Sequence, residues 1–227
     1  LHLMRDFIYF ADFNKLDGYI LSLDQEKAFD MLNRNFLLKI LKKMEFGWRF
    51  IEWVDILYTD TTAHVLVNGY ISTNFSITRG VRQGCPLSAQ LYSIYIEVLG
   101  LMLERDPHVF PLSIPGRKAP KSALYADDLT LLLSDKTSLT RVFTICEKFQ
   151  EATGSTINKG KTQGLMIGKP RSTDPQFCNI KWKNIEGIEI LGILFFTDFT
   201  RTRNHNWRIA IDHLKADLER HKFRKLS

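Results

Sequence analysis

Two apolar runs in this chain end in aspartate, and they constrain its fold more than any other feature. Tyr19-Ile20-Leu21-Ser22-Leu23 closes on Asp24. Ala123-Leu124-Tyr125-Ala126 leads into Asp127-Asp128, followed by Leu129, Leu131, Leu132 and Leu133. Ionised carboxylates beside such runs are costly to bury unless something compensates, and a bound cation is the usual compensation. Two apolar strands that each finish in Asp suggest a metal site at one edge of a sheet. The plainer alternative for Asp127-Asp128 is a hairpin turn with solvated side chains.

Magnesium suits such a site. It takes one or two protein carboxylates and keeps its other positions for water and substrate phosphate. Two ions ~3.5–4 Å apart can activate an attacking oxygen and stabilise a leaving one in phosphoryl transfer. In that arrangement Asp24 and Asp127 bridge both ions, and Asp128 ligates one or adjusts the site's charge. Manganese is an alternative ion.

Hydrophobic periodicity gives the organisation. Helices are expected at 4–14 (Met4, Phe7, Ile8 and Ala11 on one face), at 36–44 with Gly47 as its stop, and at 48–58, largely buried. Ser88 to Leu103, Ser138 to Ala152 (with Gly154 as its stop) and Asn204 to Lys222 also read as helices, the last with Trp207, Ile211, Leu214 and Leu218 facing inward. Strands are expected at 19–24, 63–67, 74–78, 165–167 and 188–196, with 124–133 a pair turned at Asp127-Asp128. Asn68-Gly69 is a strong turn signal. Gly80 to Pro86 reads as a loop and the proline-rich 107–120 as a surface connection. This order implies an α+β fold, a mostly antiparallel sheet with helices packed on one face.

At 227 residues, with 44% hydrophobic and 25% charged residues, the chain has the composition of an ordinary folded protein. Its formal charge of +6 permits a polyanionic partner without establishing one. No apolar stretch reads as a membrane span. Cys85, Cys146 and Cys178 lack paired spacing and read as reduced thiols of an intracellular protein. A start at Leu1 and a stop just after a helical pattern suggest a piece of a longer protein.

Several blocks, in order, resemble the palm of reverse transcriptases of LINE-type (non-LTR) retrotransposons. Leu23-Asp24-Gln25-Glu26-Lys27-Ala28-Phe29-Asp30 resembles the family's first aspartate motif, and Tyr125-Ala126-Asp127-Asp128 its second. Arg79-Gly80-Val81-Arg82-Gln83-Gly84-Cys85-Pro86-Leu87-Ser88 matches the intervening block nearly residue for residue. Gly154, Ile157-Asn158 and Lys161-Thr162 resemble the next block, and Leu191-Gly192-Ile193 the primer-grip region. The resemblance implies a right-hand polymerase: a palm with residual fingers elements over 1–200, and the beginning of a thumb over 201–227. It implies an RNA-directed DNA polymerase that adds deoxynucleoside triphosphates to a DNA primer on an RNA template. Expected surroundings are the nucleus and cytoplasm, with no membrane.

It also implies roles. Asp24, Asp127 and Asp128 are the metal ligands and catalytic carboxylates. Phe29 is a steric gate against the ribose 2′-hydroxyl, although as a residue it also reads as a core aromatic. Gln83 contacts the incoming nucleotide, Gly84 packs near the template base, and Tyr125 joins the substrate-binding set. Arg79 and Arg82 can meet phosphate or template backbone. Lys161 is a candidate to neutralise or protonate the pyrophosphate leaving group, with Lys159 competing and a solvated surface lysine as the alternative. The basic residues of the last segment, Arg201, Arg203, Arg208, Lys215, Arg220, Lys222, Arg224 and Lys225, suit nucleic-acid phosphates or a solvated helix face equally.

The chain departs from the family after Ser88, where Pro-Leu-Leu-Phe is usual and Ala89-Gln90-Leu91-Tyr92 stands, placing Gln90 at an expected buried helix start. After Asp30 it reads Met31-Leu32-Asn33-Arg34, and the usual lysine near Thr156 is missing. These changes leave room for an inactive relic that binds nucleic acid or a protein partner. A group II intron maturase shares the Arg79–Ser88 block. An acid-pocket phosphoacceptor domain is disfavoured by the strand order, and a purely structural module would bind no nucleotide with magnesium.

Overall fold

The structure, a computed structural model, describes residues 2–112, 120–168 and 180–222. Cys178, Arg224 and Lys225 lie outside them, as does 113–119 of the expected surface connection.

A five-stranded sheet organises the chain, in the order β6 (Ser122–Tyr125), β7 (Asp128–Leu133), β1 (Gly18–Leu23), β8 (Gln163–Ile167) and β9 (Lys181–Trp182). All neighbours are antiparallel except β8 and β9. The central strands β1 and β7 are nearly continuous apolar runs because both of their faces are covered. On one face Tyr19, Leu21, Leu23, Leu129, Leu131 and Leu133 pack against α3 (Arg34–Lys43), α5 (Pro86–Arg105) and α6 (Lys136–Thr153). On the other, Ile20, Leu132, Leu165 and Ile167 meet Met4, Phe7, Ile8 and Ala11 of α1 (His2–Phe13), so helices do not occupy one side alone.

Local chemistry sets the helix limits. Asn33 caps α3 by accepting from Phe36 N at 3.0 Å, and Asp135 caps α6 by accepting from Ser138 N at 2.7 Å. Gly154, at φ 75°, closes α6 in the left-handed conformation expected of it. Gly47 does not stop α3; that helix ends at Lys43, the chain reverses through Glu45 at φ 60°, and Gly47 caps α4 (Trp48–Tyr58) instead. α4 is mostly solvent-facing, with Val54 and Tyr58 as its buried residues, because its outer face meets no other element among the described residues. α5 is, by length and composition, apolar enough to cross a membrane, contrary to the sequence reading. Its Leu91, Tyr92, Tyr95, Ile96, Leu99 and Leu103 are nonetheless spent on the core beneath the sheet.

Two expected strand readings change. The 63–78 hairpin is two short nested ladders, β2 (Thr62–Ala63) with β5 (Phe75–Ser76) and β3 (Leu66–Val67) with β4 (Tyr70–Ile71). The 188–196 run is broken into a hairpin, β10 (Ile188–Ile190) and β11 (Ile193–Phe195), by Leu191 and Gly192, both at positive φ. The last helix, α7 (Phe199–His221), starts at an Asp198 cap and leaves Trp207, Ile211, Leu214 and Leu218 exposed, not inward. Its only buried residue among those described is Thr202.

Candidate active site

The antiparallel register builds the site. β1 pairs with β7 from Tyr19↔Leu133 to Leu23↔Leu129, so the end of one strand lies beside the start of the other. Asp24 and Asp128 each stand one residue beyond the last pair, and Asp127 sits in the turn between β6 and β7. The turn is one residue earlier than the sequence suggested, at Ala126-Asp127, with Ala126 at φ 52° and Asp128 already in β7. Asp127 and Asp128 are exposed at this hairpin tip, and Asp24 is half-buried, so desolvation of the pair is partial. Burial, followed by repulsion from Asp127 and then Asp24, holds the Asp128 carboxyl above the ordinary aspartate range. The three carboxylates therefore share one field, which a cation would relieve.

The third wall returns from α6. Gln25 bridges Ile157, Asn158 N donates to the Asp24 carbonyl at 2.8 Å, and Glu26 N donates to Thr156 O at 3.0 Å. The chain then turns over Asn158, whose carbonyl accepts from Lys161 N and Thr162 N, and enters β8 beside β1. This turn puts Lys161 Nζ 4.0 Å from Asp24 Oδ2. Lys159 is exposed on the same turn. Thr156, where the family's lysine is missing, donates its hydroxyl to Glu26 Oε2 at 3.1 Å.

Magnesium's hard oxygen preference fits the donor set of Asp24, Asp127 and Asp128, and the mutual repulsion favours a cation. Among the described residues, no three or more His, Cys, Asp or Glu side chains close into a preformed metal cage. The carboxylates thus fit an ion that one or two of them hold in part, with the remaining ligands from substrate and water.

Phe29 belongs to the short α2 (Ala28–Met31) that follows Asp24. Its ring is half-buried and stacks on Tyr92, with centroids 4.6 Å apart and planes at 22°. The Arg79–Ser88 loop docks on the same segment. Gly80 N donates to Leu32 O, Val81 N donates to Phe29 O, and Gln83 Nε2 donates to Asp30 Oδ1 at 3.2 Å. A Cβ at Gly80, whose φ is +79°, would stand 2.7 Å from the Asp30 carbonyl oxygen, so this approach requires glycine. Gly84 also has positive φ but open space around it. Arg79, Arg82, Gln83 and Tyr125 are exposed. Arg79's guanidinium lies against Gly154, within 2.8 Å of where a Cβ would be. Neither Arg79 nor Arg82 forms an ion pair with the aspartates among the described residues. Cys85 is half-buried at the N-cap of α5, and Gln90 is exposed, so the polar residue there costs the helix start nothing.

Three structural residues escaped the sequence reading. Arg34 donates to the carbonyls of Tyr58, Ile77, Arg79 and Gly80 and to Thr61 Oγ1, fastening the loop's entry to α3 and α4. Burial, with a smaller contribution from Arg82, lowers its pKa from the usual arginine value despite the opposing influence of Tyr58. The available signal was a cation on the first turn of a helix, where the dipole disfavours it. Tyr92 donates its hydroxyl to Gln25 Oε1 at 2.8 Å, and both residues are buried. Burial, followed by the charge of Asp127, raises the Tyr92 hydroxyl above the usual phenol range.

A sheet whose strand ends gather three aspartates and a lysine, flanked by a glycine-bearing basic loop, is a polymerase palm. Residues 4–195 match the family described as reverse transcriptase (RNA-dependent DNA polymerase), and the chain belongs to that family. It is 36% identical over 193 residues to a transposon TX1 uncharacterized 149 kDa protein of Xenopus laevis, covering 84% of this chain and 15% of that protein. It is 27% identical over 149 residues to a Pol polyprotein from the R2 retrotransposable element of Popillia japonica, covering 65% of this chain and 21% of that one. The LINE-type resemblance is thus borne out, and the chain spans a minor part of these relatives. In fold it is similar to apo telomerase from Candida tropicalis, with TM-score 0.57 at 16% identity over 86% of this chain and 34% of that one.

Proposed function

We propose that this chain carries the nucleotide-adding centre of a non-LTR retrotransposon protein, extending a DNA primer on an RNA template with deoxynucleoside triphosphates. The observation that supports it most is the β1–β7 register, which sets Asp24 beside Asp127-Asp128 with Lys161 alongside.

Asp24 and Asp127, with Asp128 in support, would hold two magnesium ions, or manganese in their place. When bound, such ions polarise phosphoryl oxygens and lower the pKa of an attacking hydroxyl. The chain's own groups do the rest. The primer 3′-hydroxyl gives its proton to solvent and its oxygen bonds the α-phosphorus as the bond to the pyrophosphate oxygen breaks and pyrophosphate departs. Lys161, exposed on its turn and 4.0 Å from Asp24, meets the leaving charge. Arg82 and Gln83, exposed on the loop beside Phe29, face the incoming nucleotide, and the open surface at Gly84 leaves room for a template base. Arg79 lies against Gly154 and is available to a phosphate. Phe29 closes the space where a ribose 2′-hydroxyl would lie. Shape exclusion is required here because a hydrogen-bonding site cannot reject an added hydroxyl.

Primer extension on an RNA template with magnesium tests the proposal, comparing the chain with Asp127→Asn. Extension by the parent and its loss in the variant support it; equal extension by both contradicts it. A second reading, a palm that binds a protein partner without catalysis, draws on the exposed apolar residues of α7. It predicts no magnesium-dependent incorporation by either protein.

A further inference from the structure

Phe29 sits on an element poorly suited to hold it still. α2 has four residues and is entered through Lys27 at φ 47°, and the Phe29 ring is only half-buried. A gate that discriminates by shape must hold its ring to within the size of one hydroxyl, and misplacement of about 1 Å can cost on the order of a hundredfold in such sites. The Val81 N bond to Phe29 O holds the backbone, so the orientation of the ring has to be set by a side-chain neighbour.

That neighbour is Tyr92. It lies on the 20-residue α5, is 0% exposed, and stacks on Phe29 at 4.6 Å. Its rotation is fixed in turn. The hydroxyl donates to Gln25 Oε1 at 2.8 Å, and Tyr95, itself bonded to Ser155 at 2.8 Å, tilts against its ring at 6.3 Å. Gln25 is 8% exposed and follows Asp24 directly, so the bond ties the ring stack to the strand that bears a catalytic carboxylate. The hydroxyl stands where the resembled family usually has phenylalanine, and Gln25 supplies the acceptor that a buried phenol needs.

We propose that Tyr92, locked by Gln25, is the positioning residue that places the Phe29 ring and sets how sharply the site distinguishes deoxyribose from ribose. The proposal rests on Phe29 being the sugar gate, and the experiment separates the two. kcat/KM is measured for dNTP and rNTP incorporation by the chain and by Phe29→Val, Tyr92→Leu, Tyr92→Phe and Gln25→Leu. Phe29→Val is expected to collapse the deoxy-to-ribo ratio. Tyr92→Leu, which removes the stack, lowers it about tenfold, chiefly through a lower KM for the ribonucleotide. Tyr92→Phe and Gln25→Leu, which remove only the lock, lower it about two- to threefold each, and together no further than either alone because they break one bond. An unchanged ratio in Tyr92→Leu, with collapse in Phe29→Val, overturns the positioning role alone. An unchanged ratio in Phe29→Val overturns the gate and this proposal with it. A readout independent of turnover is the fluorine resonance of 4-fluorophenylalanine at position 29. Tyr92→Leu is expected to move it toward the free amino acid's shift, and an unmoved resonance contradicts the contact.

Discussion

Two hairpins in this molecule are built from similar sequence and meet opposite fates. β6–β7 turns at Ala126-Asp127, and the strand leaving it, Leu129 to Leu133, is buried on both faces. β3–β4 turns at Asn68-Gly69, and Leu66, Val67, Tyr70 and Ile71 are 58–82% exposed. Apolarity made both legible as strands, but it does not say what covers them. β7 is covered because β1 pairs with it and helices close both faces of the sheet. The β3–β4 ladder is two residues long on each side and, among the described residues, has no layer beneath it. The difference assigns them work: the buried hairpin gives charged groups a rigid mount, whereas the exposed one offers apolar surface.

Substitutions on the two hairpins should separate them. The largest contrast is expected between Leu131→Ala, which leaves a cavity between sheet and helices and costs about 3 kcal/mol, and Leu66→Ala, which stays within about 0.5 kcal/mol, both read by urea unfolding. Equal losses would show that the outer hairpin is packed after all. Next is Gly80→Ala, at the point where the outer hairpin rejoins the palm. A Cβ there meets Asp30 and Phe29 backbone at 2.7–2.9 Å from a positive φ, so a loss of about 2 kcal/mol is expected in the same measurement. The turns themselves differ less. Ala126 holds φ 52° with a Cβ that disfavours it, so Ala126→Gly should stabilise by up to about 1 kcal/mol, whereas Asn68→Gly changes little.

The smallest effect carries the most specific sign. The Asp128 carboxyl is raised by burial and then by Asp127 and Asp24, so the folded state holds its proton more tightly than the unfolded chain. Its charge therefore opposes folding above the folded pKa, and the penalty fades as pH falls through that value. Asp128→Asn should raise Tm slightly at neutral pH, with the gain shrinking on acidification as the parent's carboxyl protonates. A gain that grows in acid would contradict a shared carboxylate field. Stability gained and activity lost at one residue is what a site kept for function predicts.

The sequence exposed the parts of the site governed by pattern. Asp24 and Asp127 were visible because charges ending apolar runs are unusual, and the Gly80–Pro86 loop because of its glycines and proline; that Gly80 packs on the Asp30 backbone was not. It hid what depends on the third dimension. Tyr92 differs from the family's phenylalanine in plain sight, but its stack on Phe29 and its bond to Gln25 join residues 63 and 67 positions apart. Arg34 registered only as a departure, because carbonyl acceptors spread from Tyr58 to Gly80 leave no sequence signature. The inward face expected of α7 failed for the same reason as the outer hairpin: periodicity reveals a stripe, not its cover.

Asp24 and Asp127 act together on one cation-dependent centre in this reading of the site. Manganese binding followed by electron paramagnetic resonance tests it most directly, with the parent chain titrated beside Asp24→Asn, Asp127→Asn and the double variant. Either single change is expected to weaken binding at least about tenfold, and the double variant to lose less than the two losses combined, because one site is shared. Unaltered manganese affinity in both single variants would contradict it.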